Sequence, residues 1–345
     1  MAQLTMEESK QQQRRSANSI LLIVLICISI LLIELALSLA FNVKGLTKSS
    51  FSTLLKYNPE NILHYTVWSI RFPRFLLGAL LGGALAVGGC LLQAITRNPL
   101  ADSEIMGVNQ GAALFAVISL AAVGFKEYPF LIMTAAFIGA AVGGGVIYNL
   151  AFRGDYSSSR LVLSGMAISL FFSSLTSSVI ILYENDLFQI LYWMAGKLTG
   201  TTWLDLKISS WTVLPVLTIC FFIARHFNIL VLGEDVASGL GLNVRKIRRM
   251  AVLCIIILIG GATALAGPIG FVGLMVPHMA RFLVGGDYRV MLPISALIGA
   301  NLLLLADLLG QFLLFPTEVP VGIITAMLGT PFFIYLMRRK KGAAI

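Results

Sequence analysis

The chain has 345 residues, 58% of them hydrophobic and 12% charged, with a mean hydropathy of +0.89. A soluble domain this apolar would aggregate, so the composition excludes a water-borne protein and points to a bilayer. The net charge of +9 would suggest nucleic acid in a soluble chain, but in a membrane protein the placement of Lys and Arg matters more than their sum.

A spanning helix needs roughly 20 apolar residues, and such stretches recur along the whole chain. Ten are predicted, at roughly 17–41, 73–95, 105–123, 129–152, 160–183, 206–226, 249–266, 271–285, 291–310 and 319–337. The first run, Ile20 to Phe41, is too long for a signal-peptide core and reads as a retained span. The eighth, "FVGLMVPHMARFLVG", is shorter than a full span, contains Pro277, and should pack against protein rather than lipid. With the amino terminus inside, 17 of the 25 Lys and Arg residues fall on the inner side and 8 on the outer. That bias favours both termini in the cytoplasm. The predicted fold class is therefore an all-α polytopic membrane protein with ten transmembrane helices. Residues 1–16 form an inner tail, 17–337 one membrane domain, and 338–345 a basic inner tail.

Glycines are dense and spaced for helix contact: Gly78 and Gly82, Gly139 and Gly143, with Gly88, Gly89, Gly267, Gly270 and Gly273 adding close-approach surface. Chemistry is sparse. There is no Gly-x-x-x-x-Gly-Lys-Ser/Thr loop, so nucleotide hydrolysis is not expected of this chain. Cys27, Cys90, Cys220 and Cys254 lie in apolar runs without disulfide or zinc spacing. His64, His226 and His278 are far apart, and no metal set is expected. Glu34 and Asp307 are the clear ionisable residues within spans, both toward the outer ends of their helices, where water can reach them. No nucleophile–base pair can be assembled, so the chain does not read as an enzyme.

Four stretches carry positive signals. In "LGEDVASGLGLNVRKIRR", Leu232 to Arg249, Glu234 and Asp235 suit a helix amino terminus, Val236 and Leu240 share a face, and Gly239 and Gly241 permit a reversal. A second short helix is expected near the cap residue Asn243. The result is a surface helix–turn–helix with Leu240 and Leu242 exposed, which reads either as a docking ridge or as a loop resting on headgroups. In "TRNPLADSEIMGVNQGAAL", Asn98-Pro99 ends the second span and Leu100 sits in a tight inner turn, either a constriction or an ordinary connection. In the fifth span Ser169, Ser173 and Ser177 repeat every four residues, either lining a watery path or bonding locally. In "SIRFPRF", Arg71 and Arg74 stand outside, available to carboxylates of a partner or snorkelling to headgroups.

In this order and spacing, the motifs "RFPRFLLGALLGGALAVGGCLLQAITRNPLADSEIMGVNQGAAL", "LYWMAGKLTG", "LGEDVASGLGLNV", "AGPIGFVGLMVPHMAR", "LLLLADLL" and "EVPVGIITAMLGTPFFIYLM" closely resemble the FecCD-type permeases, membrane subunits of ATP-binding-cassette importers for ferric siderophores, haem and cobalamin. The resemblance covers nearly the whole chain after the first helix. It implies two permease subunits, identical or paralogous, around a central path in the bacterial cell membrane. It also implies two cytoplasmic ATPases, which bind ATP and Mg themselves, and a substrate-binding protein outside. This chain then needs no cofactor, and the cargo is a ferric siderophore of hydroxamate or catecholate type, with haem or cobalamin as alternatives. Residues 232–243 match the segment that docks in the ATPase, which assigns coupling to Gly233, Glu234, Val236, Ala237, Leu240, Gly241 and Leu242. Asn98, Leu100, Ser158 and Ser159 match inner-gate positions. Arg71 and Arg74 match positions that pair with acidic residues of the binding protein, while Gln311 stands where a cobalamin permease has a third outer arginine.

Overall fold

The computed structural model describes residues 2–40, 61–102, 107–123, 129–151, 158–183 and 187–341. All regular structure among them is helical. The helices are α1 (Ala2–Ala40), α2 (Ile62–Thr96), α3 (Val108–Val123), α4 (Pro129–Ala151), α5 (Ser158–Leu182), α6 (Leu187–Met194), α7 (Trp203–Val231), α8 (Glu234–Gly239), α9 (Val244–Ala266), α10 (Val272–Val284), α11 (Tyr288–Leu313) and α12 (Val321–Lys341). Eight of these are long and apolar enough to cross a membrane; α3 and α10 are shorter apolar helices, and α6 and α8 are short connectors.

The second span starts earlier than its hydropathy suggests. It begins at Ile62, capped by Asn61, and carries a π-helical segment over Thr66–Arg71 before Phe72. Pro73 therefore lies in an existing helix rather than opening one. Its missing N–H and its ring are accommodated by the wider turn, in which the Phe72 N–H reaches back to the Val67 carbonyl.

α2 is the most enclosed helix and packs against α7, α9, α10 and α11, whereas α1, α5 and α12 leave most of their apolar surface uncovered. Lipid tails are as apolar as leucine, so helices here associate by close packing rather than by escape from water. Small residues supply that packing. Gly82 lies directly on the Gly299 backbone of α11, Gly83 faces Ala296, and Gly89 meets the Gly273 backbone of α10. Gly111 and Gly139 bring α3 and α4 into the same kind of contact.

α3 and α10 both begin inside the bundle. Gly88 packs on Leu258 and Ile259 of α9, and Gly89, its neighbour, packs on Gly273. α10 thus starts 17 residues past Phe72, about 25 Å along α2 at 1.5 Å per residue. The intervening segment Gly267–Phe271 is non-helical at that depth, so its backbone needs internal partners. The Lys197 N–H donates to the Ala266 carbonyl at 2.6 Å, the Gly267 N–H to Thr263, and the Phe271 N–H to the Asp102 carboxylate at 3.4 Å. Likewise Asn109, in the first turn of α3, accepts from the Thr263 hydroxyl of α9 at 2.8 Å. The stretch expected at 105–123 is a helix of 16 residues, shorter than a full span, and α10, the eighth predicted span, is largely enclosed by protein as its length predicts.

Replacing Gly82 with Ala should lower the detergent thermal midpoint, at an overpacking cost of about 1–3 kcal/mol, because the added methyl meets backbone. Gly145 has open space around it, so Gly145→Ala should leave the midpoint within error.

Candidate functional site

Twenty-nine residues of α7, about 43 Å of helix, separate two polar ends of the bundle. At one end Trp203 opens α7 and its indole N–H bonds the Trp68 carbonyl at 2.9 Å; at the other, α7 runs into α8.

At the Trp203 end, Arg74 is held in a fork. Its Nε and Nη2 donate to the two carboxylate oxygens of Asp307 at 2.9 and 2.8 Å, and its Nη1 donates to Glu318 at 3.2 Å. Only 11% of the Arg74 side chain and 8% of that of Asp307 remain exposed. The Thr199 hydroxyl donates to the other Glu318 oxygen at 2.6 Å. Gln311 donates to Asp307 at 2.9 Å and accepts from Arg71, which also donates to the Ser38 carbonyl at 2.7 Å. One cluster thus ties α1, α2, α11 and the loops before α7 and α12. Both arginines expected to stand free are engaged within the chain. Asp307 and Glu34 are buried rather than watered, because the bundle encloses these turns of α11 and α1.

Burial raises the Glu318 carboxyl pKa, but the Arg74 hydrogen bond and charge outweigh it and leave it below the usual 4.5. A carboxylate lowered in the fold stabilises fully above its unfolded value and loses that contribution as pH falls through the folded one. The thermal midpoint should therefore drop on acidification below pH 4.5 by more in the wild type than in Glu318→Gln, measured side by side. Asp307→Asn leaves Arg74 with Glu318 as its remaining carboxylate partner and should cost about 1–3 kcal/mol, read by thermal unfolding.

At the opposite end the hairpin is simpler than two short helices. Gly233, at φ +125°, turns the chain out of α7; α8 follows, and Gly241, at φ +80°, turns it back. Asn243 then caps α9 itself, accepting from the Lys246 N–H at 3.0 Å. The cap sits so close to the span that a separate second helix has no room. Ala237 is buried under the turn, and Leu242 packs against the core instead of standing exposed. Val231, Leu232, Val236 and Leu240 form the outward ridge, with Leu240 62% exposed. Arg248, one of the four basic residues in the stretch Leu232 to Arg249, is buried and forked onto Glu234 at 3.0 and 3.2 Å.

The "NPL" turn is built locally. Arg97, at φ +51°, ends α2; the Thr96 hydroxyl accepts from the Asn98 N–H at 3.3 Å, and the Asn98 side chain accepts from the Leu100 N–H at 2.9 Å. This Asx turn holds Leu100 half-buried. Ser158 and Ser159 open α5, but their side chains lie outside the described residues. The serine row is divided. Ser173 donates to Gln110 of α3 at 3.1 Å, Ser169 is half-buried beside Gly107, and Ser177 is exposed. Ser174 and Ser178 bond back to their own helix.

A polytopic bundle of long apolar helices with two shorter ones among them, a buried ionic cluster at one end and an apolar hairpin at the other, defines an integral membrane protein. The chain belongs to the FecCD transport family, whose profile matches residues 21–339. It is 43% identical to the Fe(3+)-citrate import system permease protein YfmD of Bacillus subtilis (strain 168), over 94% of this chain and 97% of that one. It is 38% identical to the hemin transport system permease protein HmuU of Yersinia pestis, over 90% and 94% respectively. Among solved structures it matches a metal-chelate type ABC transporter in an inward-facing conformation, with a TM-score of 0.81, 27% identity, and coverage of 92% of this chain and 99% of that one.

Proposed function

We propose that this chain is the permease subunit of an ATP-binding-cassette importer and that it carries a ferric siderophore across the bacterial cell membrane. The observation that carries the proposal is the α8 ridge. Val231, Leu232, Val236 and Leu240 are exposed beyond the end of a 29-residue helix, on a hairpin that also holds Glu234, Asp235, Arg245 and Lys246. Those charges keep the hairpin out of hydrocarbon, so its apolar face fits a protein cleft. A cytoplasmic ATPase is the partner on this reading, and α8 with its flanking turns is the coupling element.

The ten apolar helices then act as ten spans with both termini inside, as the distribution of Lys and Arg favours. A second permease subunit covers part of the apolar surface left on the peripheral helices, and a binding protein docks over Arg71 and the neighbouring cluster. Nucleotide binding closes the ATPase pair, α8 moves with it, and the Asn98–Leu100 turn opens or shuts the inner end of the path, with Ser158 and Ser159 opposite. The cargo arrives with its metal already coordinated, so the path needs hydroxyls such as Ser169, Ser173 and Ser177 rather than metal ligands. Relatives named for ferric citrate, iron–hydroxamate and siderophore transport favour a ferric chelate.

Leu240→Asp puts a charge into the proposed cleft. It should abolish co-purification of an ATPase in mild detergent while leaving the permease folded; retention of the ATPase would overturn the docking role. In vesicles containing the co-purified complex, uptake of radio-iron ferric citrate or ferric hydroxamate should stop when hydrolysis is blocked by vanadate. Uptake that persists with vanadate and stops with an uncoupler would instead mark an ion-coupled transporter.

A further inference from the structure

We propose that Arg248 is a positioning residue that welds α8 to α9, so that movement of the hairpin reaches the inner turn instead of being lost at its glycines. The inference rests on the coupling role proposed above. α8 is only six residues long and is bounded by Gly233 and Gly241, both at positive φ and both with open space where a side chain would stand. Two such joints leave a short helix free to swivel. Against that freedom stand the buried Ala237, the Leu242 N–H bond to its carbonyl at 3.0 Å, and the Arg248 fork on Glu234.

The fork is asymmetric. The Arg248 side chain is 3% exposed and that of Glu234 is 47% exposed. A bidentate guanidinium–carboxylate pair fixes direction as well as distance. Here the rigid member is the arginine on α9, and the carboxylate it holds belongs to the moving element. Glu234 is exposed, but both its carboxylate oxygens are turned back onto Arg248, so it receives the brace.

The same turn of α9 continues the linkage. The Arg249 Nε donates to the Tyr148 hydroxyl of α4 at 2.8 Å. α4 lies on α3 through Gly139 and Gly111, and α9 joins α3 again through Thr263 and Asn109. α3 begins a few residues after the Asn98–Leu100 turn. A displacement of α8 that is rigid with α9 therefore moves the base of that turn. A displacement that only swivels α8 does not.

The test uses the complete transporter with its co-purifying ATPase in lipid nanodiscs, carrying Leu100→Cys. The four native cysteines are buried, so an impermeant maleimide reads the new thiol, first without nucleotide and then with ATP and vanadate. With Arg248 intact the labelling rate should change on nucleotide trapping. In Arg248→Met and in Glu234→Gln the nucleotide-dependent change should shrink about tenfold, a typical coupling energy, while the ATPase stays bound. Arg248→Lys, which keeps the charge but not the fork, should fall between. An undiminished change in both variants, or loss of the ATPase from both, would overturn the proposal. Absence of an ATPase from the parent protein would instead count against the coupling role itself. Glu234→Gln preserves side-chain shape and keeps the test decisive if Arg248→Met fails to fold.

Discussion

Close approach of backbones at α2 is the constraint on which the rest of this molecule depends. In a bilayer, helices gain nothing from hiding apolar surface, and dispersion contacts must hold them together. Gly82 against Gly299 and Gly89 against Gly273 let α11 and α10 sit directly on α2. That proximity encloses two helix beginnings within the membrane. Those ends expose N–H groups that lipid cannot satisfy; Asp102 accepts from the Phe271 N–H before α10, and a side-chain bond from Thr263 to Asn109 holds the first turn of α3 on α9.

The buried ionic groups serve position more than stability. Removing Arg74 and Asp307 from water costs much of what their attraction returns. What the pair secures is geometry: with Glu318, Thr199, Gln311 and Arg71 it fixes where α2, α11 and two loops meet. The Arg248–Glu234 fork does the same at the other end, across a hairpin whose glycines offer no stiffness.

Much of the architecture was legible in the sequence because hydropathy reports it directly. All ten apolar stretches appear as helices, and the small-residue pairs Gly78–Gly82 and Gly139–Gly143 fall at helix contacts. Hydropathy does not report depth, so it does not show that the first turn of α3 is buried against α9. Nor does it report partners distant along the chain. Arg74 finds Asp307 233 positions away, and no local pattern links them; each alone looked like an interfacial charge. Arg248 was concealed differently, among neighbours that set topology. Only the fold shows that position 248 faces inward while 245 and 249 face out. Gly241 and Asn243 were read correctly as a turn and a cap, since their chemistry is local.

The ionic cluster on α2 and α11 also bears on how the binding protein proposed above would arrive. Arg71 and Arg74 face Asp307 and Glu318, two cations against two anions, so the group as a whole is neutral. A neutral group of this size projects almost no field past the Debye distance of about 8 Å in physiological salt. It cannot draw a carrier in from afar. A visitor to this patch is sorted by shape once it has landed, and its rate of arrival is left to diffusion and to charges elsewhere on the rim.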